Sequence, residues 1–290
     1  MALEEIKAEL KINSELTGIV DALKVIAVTE FRALEEEREQ RSSVFLDAFE
    51  GFFQMIDFSA VEHPFAQDRS GSLALIMLTS DERFMGGLNK RVVDSALAYP
   101  GADTAYLAVM GMQGGDYLRT LDREFTSFTD ITTKNPYAAA LRLREYILKT
   151  ALEGNLGRLV IVYPKPISFL VQTVEALPIL PCTELLFLEK REARKREMIL
   201  EKAEAIIDSS QSDLIEYLVG TWIAEKMLEV LEDARQAELS AKAVRLEESY
   251  QTLLDTKKKL VHQYHRTHHE MLDKEMRDTF SAQIMRGKTA

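Results

Sequence analysis

The chain has 290 residues, one cysteine and a formal net charge of −11. The length allows one or two domains with a substantial core, and the lone Cys182 excludes an internal disulfide. The acidic balance argues against nucleic acid as the main partner, because binding phosphates needs a surplus of Lys and Arg. There is no secretory signal and no apolar run of about 18 residues, so we expect no direct membrane insertion.

The first predicted element is a long helix that begins near Leu3. Its apolar residues recur at spacings near three and four, in Leu3, Ile6, Leu10, Leu16, Ile19, Leu23 and Ile26. The pattern returns after about residue 213, in Leu246, Tyr250, Leu253, Leu260, Tyr264 and Met271. An apolar stripe with a period near 3.5 residues has to be buried against another helix. We therefore expect the two ends of the chain to pair as an antiparallel coiled coil.

The middle of the chain predicts an α/β domain. Three short apolar runs, at 73–78, 105–110 and 159–163, are typical of buried strands, and 169–175 predicts another. Helical segments between these runs predict a sheet that is covered on both faces. The predicted fold is a long antiparallel coiled coil of N- and C-terminal helices with a Rossmann-like α/β domain inserted between them. The predicted parts are 1–58 for the first helix, 59–205 for the α/β domain and 206–290 for the second helix.

The loop after the first predicted strand, residues 79–89, contains the adjacent glycines of a phosphate cradle. Backbone amides at the start of the next helix would then face the ligand. Its spacing matches neither the dinucleotide fingerprint nor the P-loop, and Asp81 and Glu82 would repel a phosphate. A structural turn is the favoured interpretation, and the second glycine-rich segment, 111–115, predicts a plain loop.

Four of the five histidines lie close together in the last predicted helix. There His262, His265 and His269 share a face, with Asp273 one turn further on, which is a possible arrangement for a divalent metal. Exposed polar positions are the simpler interpretation, and a pH-sensitive contact is a third. No Ser/His/Asp or Cys/His set has the spacing of a nucleophilic site. We therefore predict no catalytic residue, no metal and no cofactor, and no enzyme activity by the chain alone.

Five segments resemble, in the right order, the gamma subunit of F-type ATP synthases. Residues 19–32 (IVDALKVIAVTEFR) resemble its I-T-x-A-M-K-M-V-A-A-x-K-L-R signature, and 79–89 resemble its S-D-R-G-L-C-G-G-x-N loop. Residues 162–168 are similar to its V-Y-x-x-F-x-S strand, and 232–235 to its E-x-x-A-R. Residues 264–275 fall on its Y-N-x-A-R-Q-x-x-I-T-x-E-L pattern.

The resemblance implies a central-stalk rotor whose paired helices insert into a hexamer of alpha and beta subunits. The α/β domain would join the epsilon subunit and the membrane c-ring, on the cytoplasmic side of the membrane. Flow of protons or sodium ions would turn the shaft and drive the beta sites through open, loose and tight states. The candidate subunit contacts are the motif positions Leu23, Lys24, Arg32, Asp81, Arg83, Asn89, Arg266, His268, His269 and Glu275.

Several residues depart from the resembled motifs. The family's N-terminal helix is usually basic, whereas the matching helix here carries Glu4, Glu5, Glu9, Glu15, Asp21 and Glu30. The motif's Arg-Gln pair falls on His268 and His269, and its loop Arg-Gly falls on Glu82 and Arg83. These changes would alter the charge complementarity with beta and suit a divergent ATPase. Two alternatives remain: a coiled-coil adaptor or regulator that no longer turns, and a small-molecule enzyme that uses loop 80–89.

Overall fold

The structure is a computed structural model that describes residues 3–53, 72–128, 135–153, 156–182 and 211–287. In chain order its elements are α1 (Leu3–Phe53), β1 (Ser72–Leu78), α2 (Leu88–Leu97), β2 (Tyr106–Met110), α3 (Met112–Thr120), β3 (Thr126–Phe128), α4 (Pro136–Leu152), β4 (Leu156–Ser168), β5 (Val171–Leu180) and α5 (Gln211–Gly287). None of the helices in these ranges is long and apolar enough to span a bilayer. Both predicted domain boundaries, near 58 and 205, lie outside the described residues.

The internal contacts divide the chain into two compact units. The helical unit joins the N-terminal residues up to Ala27 with those from Ala243 onward, and the sheet unit is Val28–Lys242. The helical unit therefore holds the first part of α1 and the last part of α5. The sheet unit holds the rest of both helices and all five strands.

The sheet unit is built on a five-stranded sheet in the order β3-β2-β1-β4-β5. Strands β1 to β4 are parallel, and the edge strand β5 returns antiparallel as a hairpin with β4. Side chains alternate between the two faces of a strand, so Ile76 and Ile161 pack with α4 and α5 on one face. Leu75 and Val160 pack with α2 and α3 on the other. The predictions of three buried strands and of a sheet covered on both faces are confirmed.

Helix α3 begins where the sequence predicts a plain loop, so that prediction is wrong. Gly111 has a φ of +95°, and a Cβ there would lie 2.1 Å from the carbonyl oxygen of Thr79. A Cβ on Gly114, within the helix, would lie 2.4 Å from Thr79 Oγ1. These glycines let α3 pack closely against the end of β1, which is a tertiary requirement and not a sign of irregular backbone.

The helical unit pairs the two chain ends in antiparallel fashion, as predicted. Lys24 of α1 lies opposite Glu247 of α5, whereas Lys7 lies near Tyr264, so the numbering runs in opposite directions. The predicted stripe on α5 faces this pairing at Leu246, Tyr250, Leu253, Leu260 and Tyr264, which are buried or half-buried. Met271, predicted on the same stripe, is exposed.

The predicted stripe on α1 is correct only for its first three residues. Leu16, Ile19, Leu23 and Ile26 are 45%, 57%, 39% and 53% exposed. The seam instead continues from Leu10 through Asn13, Thr17, Val20, Lys24 and Ala27, which are buried or half-buried. Leu16 is six residues after Leu10, which is about a third of a turn short of two full helical turns. The predicted residues from Leu16 onward therefore lie about a third of a turn away from the seam. Helix α1 consequently has a second apolar face that α5 leaves exposed.

Candidate functional site

The loop between β1 and α2 is fixed by its own polar side chains. Asp81 Oδ1 accepts a hydrogen bond from the backbone N–H of Met112 at 2.9 Å, which caps the first turn of α3. Asn89 Oδ1 accepts from the backbone N–H of Ser80 at 3.0 Å and closes the loop from its other end. The Asp81 carboxylate thus occupies the N-terminus of α3, whereas the helix that follows this loop is α2. Both hydrogen bonds fit the favoured interpretation of the loop as a structural turn.

The apolar side of this loop rests on helix α5. Met85 and Leu88 are buried in a small cluster with Ala237 and Ala241. The two alanines are four residues apart, so they lie on the same face of α5. Their short side chains let the loop approach the helix backbone closely.

The charged side of the loop makes a network with the same helix. Glu82 Oε2 lies 2.6 Å from Lys242 Nζ, and Glu82 Oε1 lies 3.9 Å from Arg235 Nη1. Arg235 also pairs with Glu30 of α1 at 3.1 Å and with Glu238 at 3.4 Å. The Arg235, Lys242 and Glu82 side chains are 13%, 23% and 27% exposed, so water screens these pairs less than it screens surface pairs.

The network borders an open groove in the sheet unit. The groove has a volume of about 470 Å³, and Leu34, Glu37, Pro136 and Leu239 line it beside the ion pairs. It brings together helix α1, the β1–α2 loop and helix α5. Charged and apolar contacts thus join α1, the β1–α2 loop and α5 beside this groove.

A part-buried ion pair joins the same two helices further along. Arg38 of α1 pairs with Asp233 of α5, whose side chain is 2% exposed. Burial raises the pKa of the Asp233 carboxyl, although the Arg38 charge acts in the opposite direction. The second oxygen, Oδ2, has no hydrogen-bond partner among the described residues. Burial, and next the Asp233 charge, raise the pKa of the neighbouring Tyr163 phenol.

A second groove of about 380 Å³ lies where the β4–β5 hairpin meets α1. Phe31 and Phe169 meet there edge to face, with ring centroids 5.0 Å apart. The predicted contact residue Arg32 lines this groove together with Gln236. Of the other predicted loop residues, Arg83 is exposed, while Asp81 and Asn89 hold the loop itself.

Two predicted contact residues lie in the α1 part of the helical unit. Leu23 is exposed on the second apolar face. Lys24 lies in the seam, 2.9 Å from Asp21 and 3.0 Å from Glu247, with its ammonium 4.4 Å from the centroid of the Tyr250 ring. The hydrogen bonds to Asp21 and then Glu247 raise the Lys24 pKa. Lys24 therefore joins α1 to α5.

The remaining four predicted residues lie on α5. Arg266 pairs with Glu270 at 3.0 Å on the surface, and Glu275 and His269 are exposed. The half-buried His268 stacks on Tyr264 with ring centroids 5.9 Å apart. Over the described part of the chain, no three His, Cys, Asp or Glu side chains converge as metal ligands. The metal hypothesis for the histidine face therefore gains no support.

Sequence reasoning missed the long-range ion pairs of the sheet unit, which join Arg38 to Asp233 and Glu82 to Lys242. Lys242 is 160 positions away from Glu82, and Asp233 is 195 positions away from Arg38, so no local pattern links them. The one available signal was Glu82, an acid where the resembled loop motif has an arginine.

Comparisons with known proteins match most of the chain to ATP synthase proteins. A family model described as ATP synthase matches residues 2–283. The curated ATP synthase gamma chain of Clostridium kluyveri (strain NBRC 12016) is 24% identical over 283 residues, 94% of each chain. That of Clostridium acetobutylicum is 27% identical over 207 residues, which cover 68% of this chain and 73% of the relative.

Solved structures have the same fold. The OSCP/F1/c-ring structure of the Euglena gracilis mitochondrial ATP synthase contains a chain that matches with a TM-score of 0.65 and 14% identity. The match covers 97% of this chain and 93% of that one. A chain of the Tetrahymena thermophila mitochondrial ATP synthase central stalk/c-ring matches with a TM-score of 0.57 and 14% identity, over 80% of this chain and 99% of that one.

Proposed function

The chain belongs to the ATP synthase family, and from this premise we propose that it works as a central-stalk gamma subunit. In this role it mechanically couples the translocation of protons or sodium ions to ATP synthesis or hydrolysis. The nucleotide chemistry belongs to the partner subunits. The observation that carries the proposal is the match of the family model to residues 2–283, which spans both terminal helices and the α/β sheet.

The exposed apolar face of α1 supports the proposal that partner subunits surround this helix. Ile12, Leu16, Ile19, Leu23 and Ile26 recur every three or four residues and are 39% to 57% exposed. A continuous apolar face of this length marks an interaction surface, because water-exposed apolar area is costly. In our proposal the alpha and beta subunits form a hexamer around the helical unit and cover this face. The sheet unit contacts the epsilon subunit and the c-ring at the membrane.

Assembly with the partner subunits tests the proposal directly. The chain should co-purify with an alpha/beta hexamer, and removal of its last twenty or so residues should abolish ion-coupled turnover. Ile19→Asp should lower hexamer binding and leave folding of the free chain unchanged, because Ile19 is 57% exposed. Leu121→Asp, at an exposed apolar position of the sheet unit, is the matched control and should bind the hexamer normally. Normal coupling in a complex that lacks the chain would refute the proposal.

A coiled-coil adaptor or regulator that does not rotate is the second candidate. The acidic character of exposed α1 residues such as Glu9 and Glu15 favours it, because the resembled family is basic there. The beta subunit from the same genome separates the two. A beta surface whose charge complements an acidic shaft supports the rotor, whereas the absence of alpha and beta genes beside this one supports the adaptor.

A further inference from the structure

The β1–α2 loop is the place where the sheet is attached to one short patch of helix α5. Arg235 and Lys242 mark the two ends of this patch, and Ala237 and Ala241 lie between them. Seven residues of helix make two turns, about 10 Å along the axis. The loop therefore contacts α5 over about two turns, through the alanines and through the two cations.

The two kinds of contact have different mechanical effects. Met85 and Leu88 press on the alanines and are 5% and 0% exposed, so they exclude water. Such contacts are non-directional and give little resistance to sliding or turning of the helix. Directional resistance comes from Glu82, because its two carboxylate oxygens point to cations at opposite ends of the patch.

We infer that Glu82 is a positioning residue that locks helix α5 to the α/β sheet, so that force applied to one reaches the other. The inference rests on the proposed rotor function and names the residue through which this chain transmits torque. Glu30 strengthens the lock, since it holds Arg235 from the α1 side at 3.1 Å and keeps the guanidinium oriented. Rotation of α5 by one residue, about 100°, would carry both cations away from the carboxylate.

Reversing the charge of residue 82 in the assembled complex, alone and together with a compensating reversal at residue 242, tests this role. Glu82→Arg places a cation against Lys242 and Arg235, and we expect ions moved per ATP hydrolysed to fall about fivefold, at the low end of typical coupling free energies. ATP hydrolysis itself should continue, because the partner sites are untouched. The double variant Glu82→Arg/Lys242→Glu restores an ion pair and should recover coupling to within about twofold of the native complex.

Two further variants separate a lock from a general loss of stability. Glu36→Arg makes the same charge change at an exposed α1 position and should leave coupling unchanged. Glu82→Gln removes the negative charge without introducing repulsion. Its thermal unfolding midpoint should stay close to that of the native chain, while part of the coupling should be lost. Equal coupling in Glu82→Arg and Glu36→Arg, or no recovery in the double variant, would overturn the inference. Failure of the native chain to enter the complex would instead overturn the proposed function, and the inference with it.

Discussion

Replacing Arg38 with methionine should destabilise the chain by about 2–3 kcal/mol, because it leaves the buried Asp233 carboxylate without its ion-pair partner, although the pair is only partly buried on the arginine side. The structure places the loss in this range because Asp233 is 2% exposed and no described residue bonds its Oδ2. The methionine keeps most of the arginine stem, so little packing is lost. The double variant Arg38→Met/Asp233→Asn removes the stranded charge and should recover most of the stability.

The loss should also depend on pH. Burial raises the pKa of Asp233 above its ordinary value of 3.8, so the folded chain binds this proton more tightly than the unfolded chain does. The stability that this carboxyl contributes is therefore lost as the pH rises from its ordinary pKa through its raised pKa in the folded chain. Without the opposing Arg38 charge, the pKa of Asp233 in the folded chain rises further. The pH range over which stability is lost then extends to higher pH. Acidification should then return part of the stability that Arg38→Met removes.

Urea unfolding of the full chain at about pH 5 and about pH 8, followed by circular dichroism, measures both effects. Arg123→Met is the matched control, because the Arg123–Asp103 pair is exposed and should contribute at most about 0.5 kcal/mol. A loss under about 1 kcal/mol for Arg38→Met, or one that is equal at the two pH values, would refute the buried-charge argument.

Three other substitutions probe the packing. Gly111→Ala places a Cβ 2.1 Å from the Thr79 carbonyl oxygen at a φ of +95°, and should cost about 2 kcal/mol or more in urea unfolding; an unchanged midpoint would contradict the close approach. Ile147→Ala, at a fully buried α4 position, should cost about 2–5 kcal/mol, and a loss typical of surface positions would contradict its burial. Lys24→Met should lower the thermal midpoint slightly, and the same change in a Glu247→Gln background should have less effect; additive losses would contradict direct pairing.

The sequence predicts the elements whose signal is local. The run 73–78 becomes β1 and the run 159–163 lies within β4, because a fully buried strand has to be apolar on both faces. The family resemblance is confirmed by the family model, and the curated relatives that match are gamma chains.

The sequence fails where the requirement is tertiary. Helix α3 is missed because its glycines look like a loop, although Thr79, the residue after β1, is what excludes a side chain there. The α1 stripe is misplaced because α1 has two apolar faces, and composition alone does not say which one meets α5. The ion pairs of Glu82 and Asp233 join residues more than 150 positions apart, so they are invisible without the fold.

Polar residues interrupt the apolar seam between α1 and α5 in the helical unit. Asn13 is buried there, with an Oδ1 that no described residue bonds, and Thr17 and Lys24 follow it on the same side. Polar residues at seam positions fix the register of two helices at a cost in stability. The sheet unit, by contrast, buries large aliphatic side chains on both faces. The helical unit should therefore open first, with amide hydrogens that exchange well before those of β1 and β4, and the free chain should unfold in two steps.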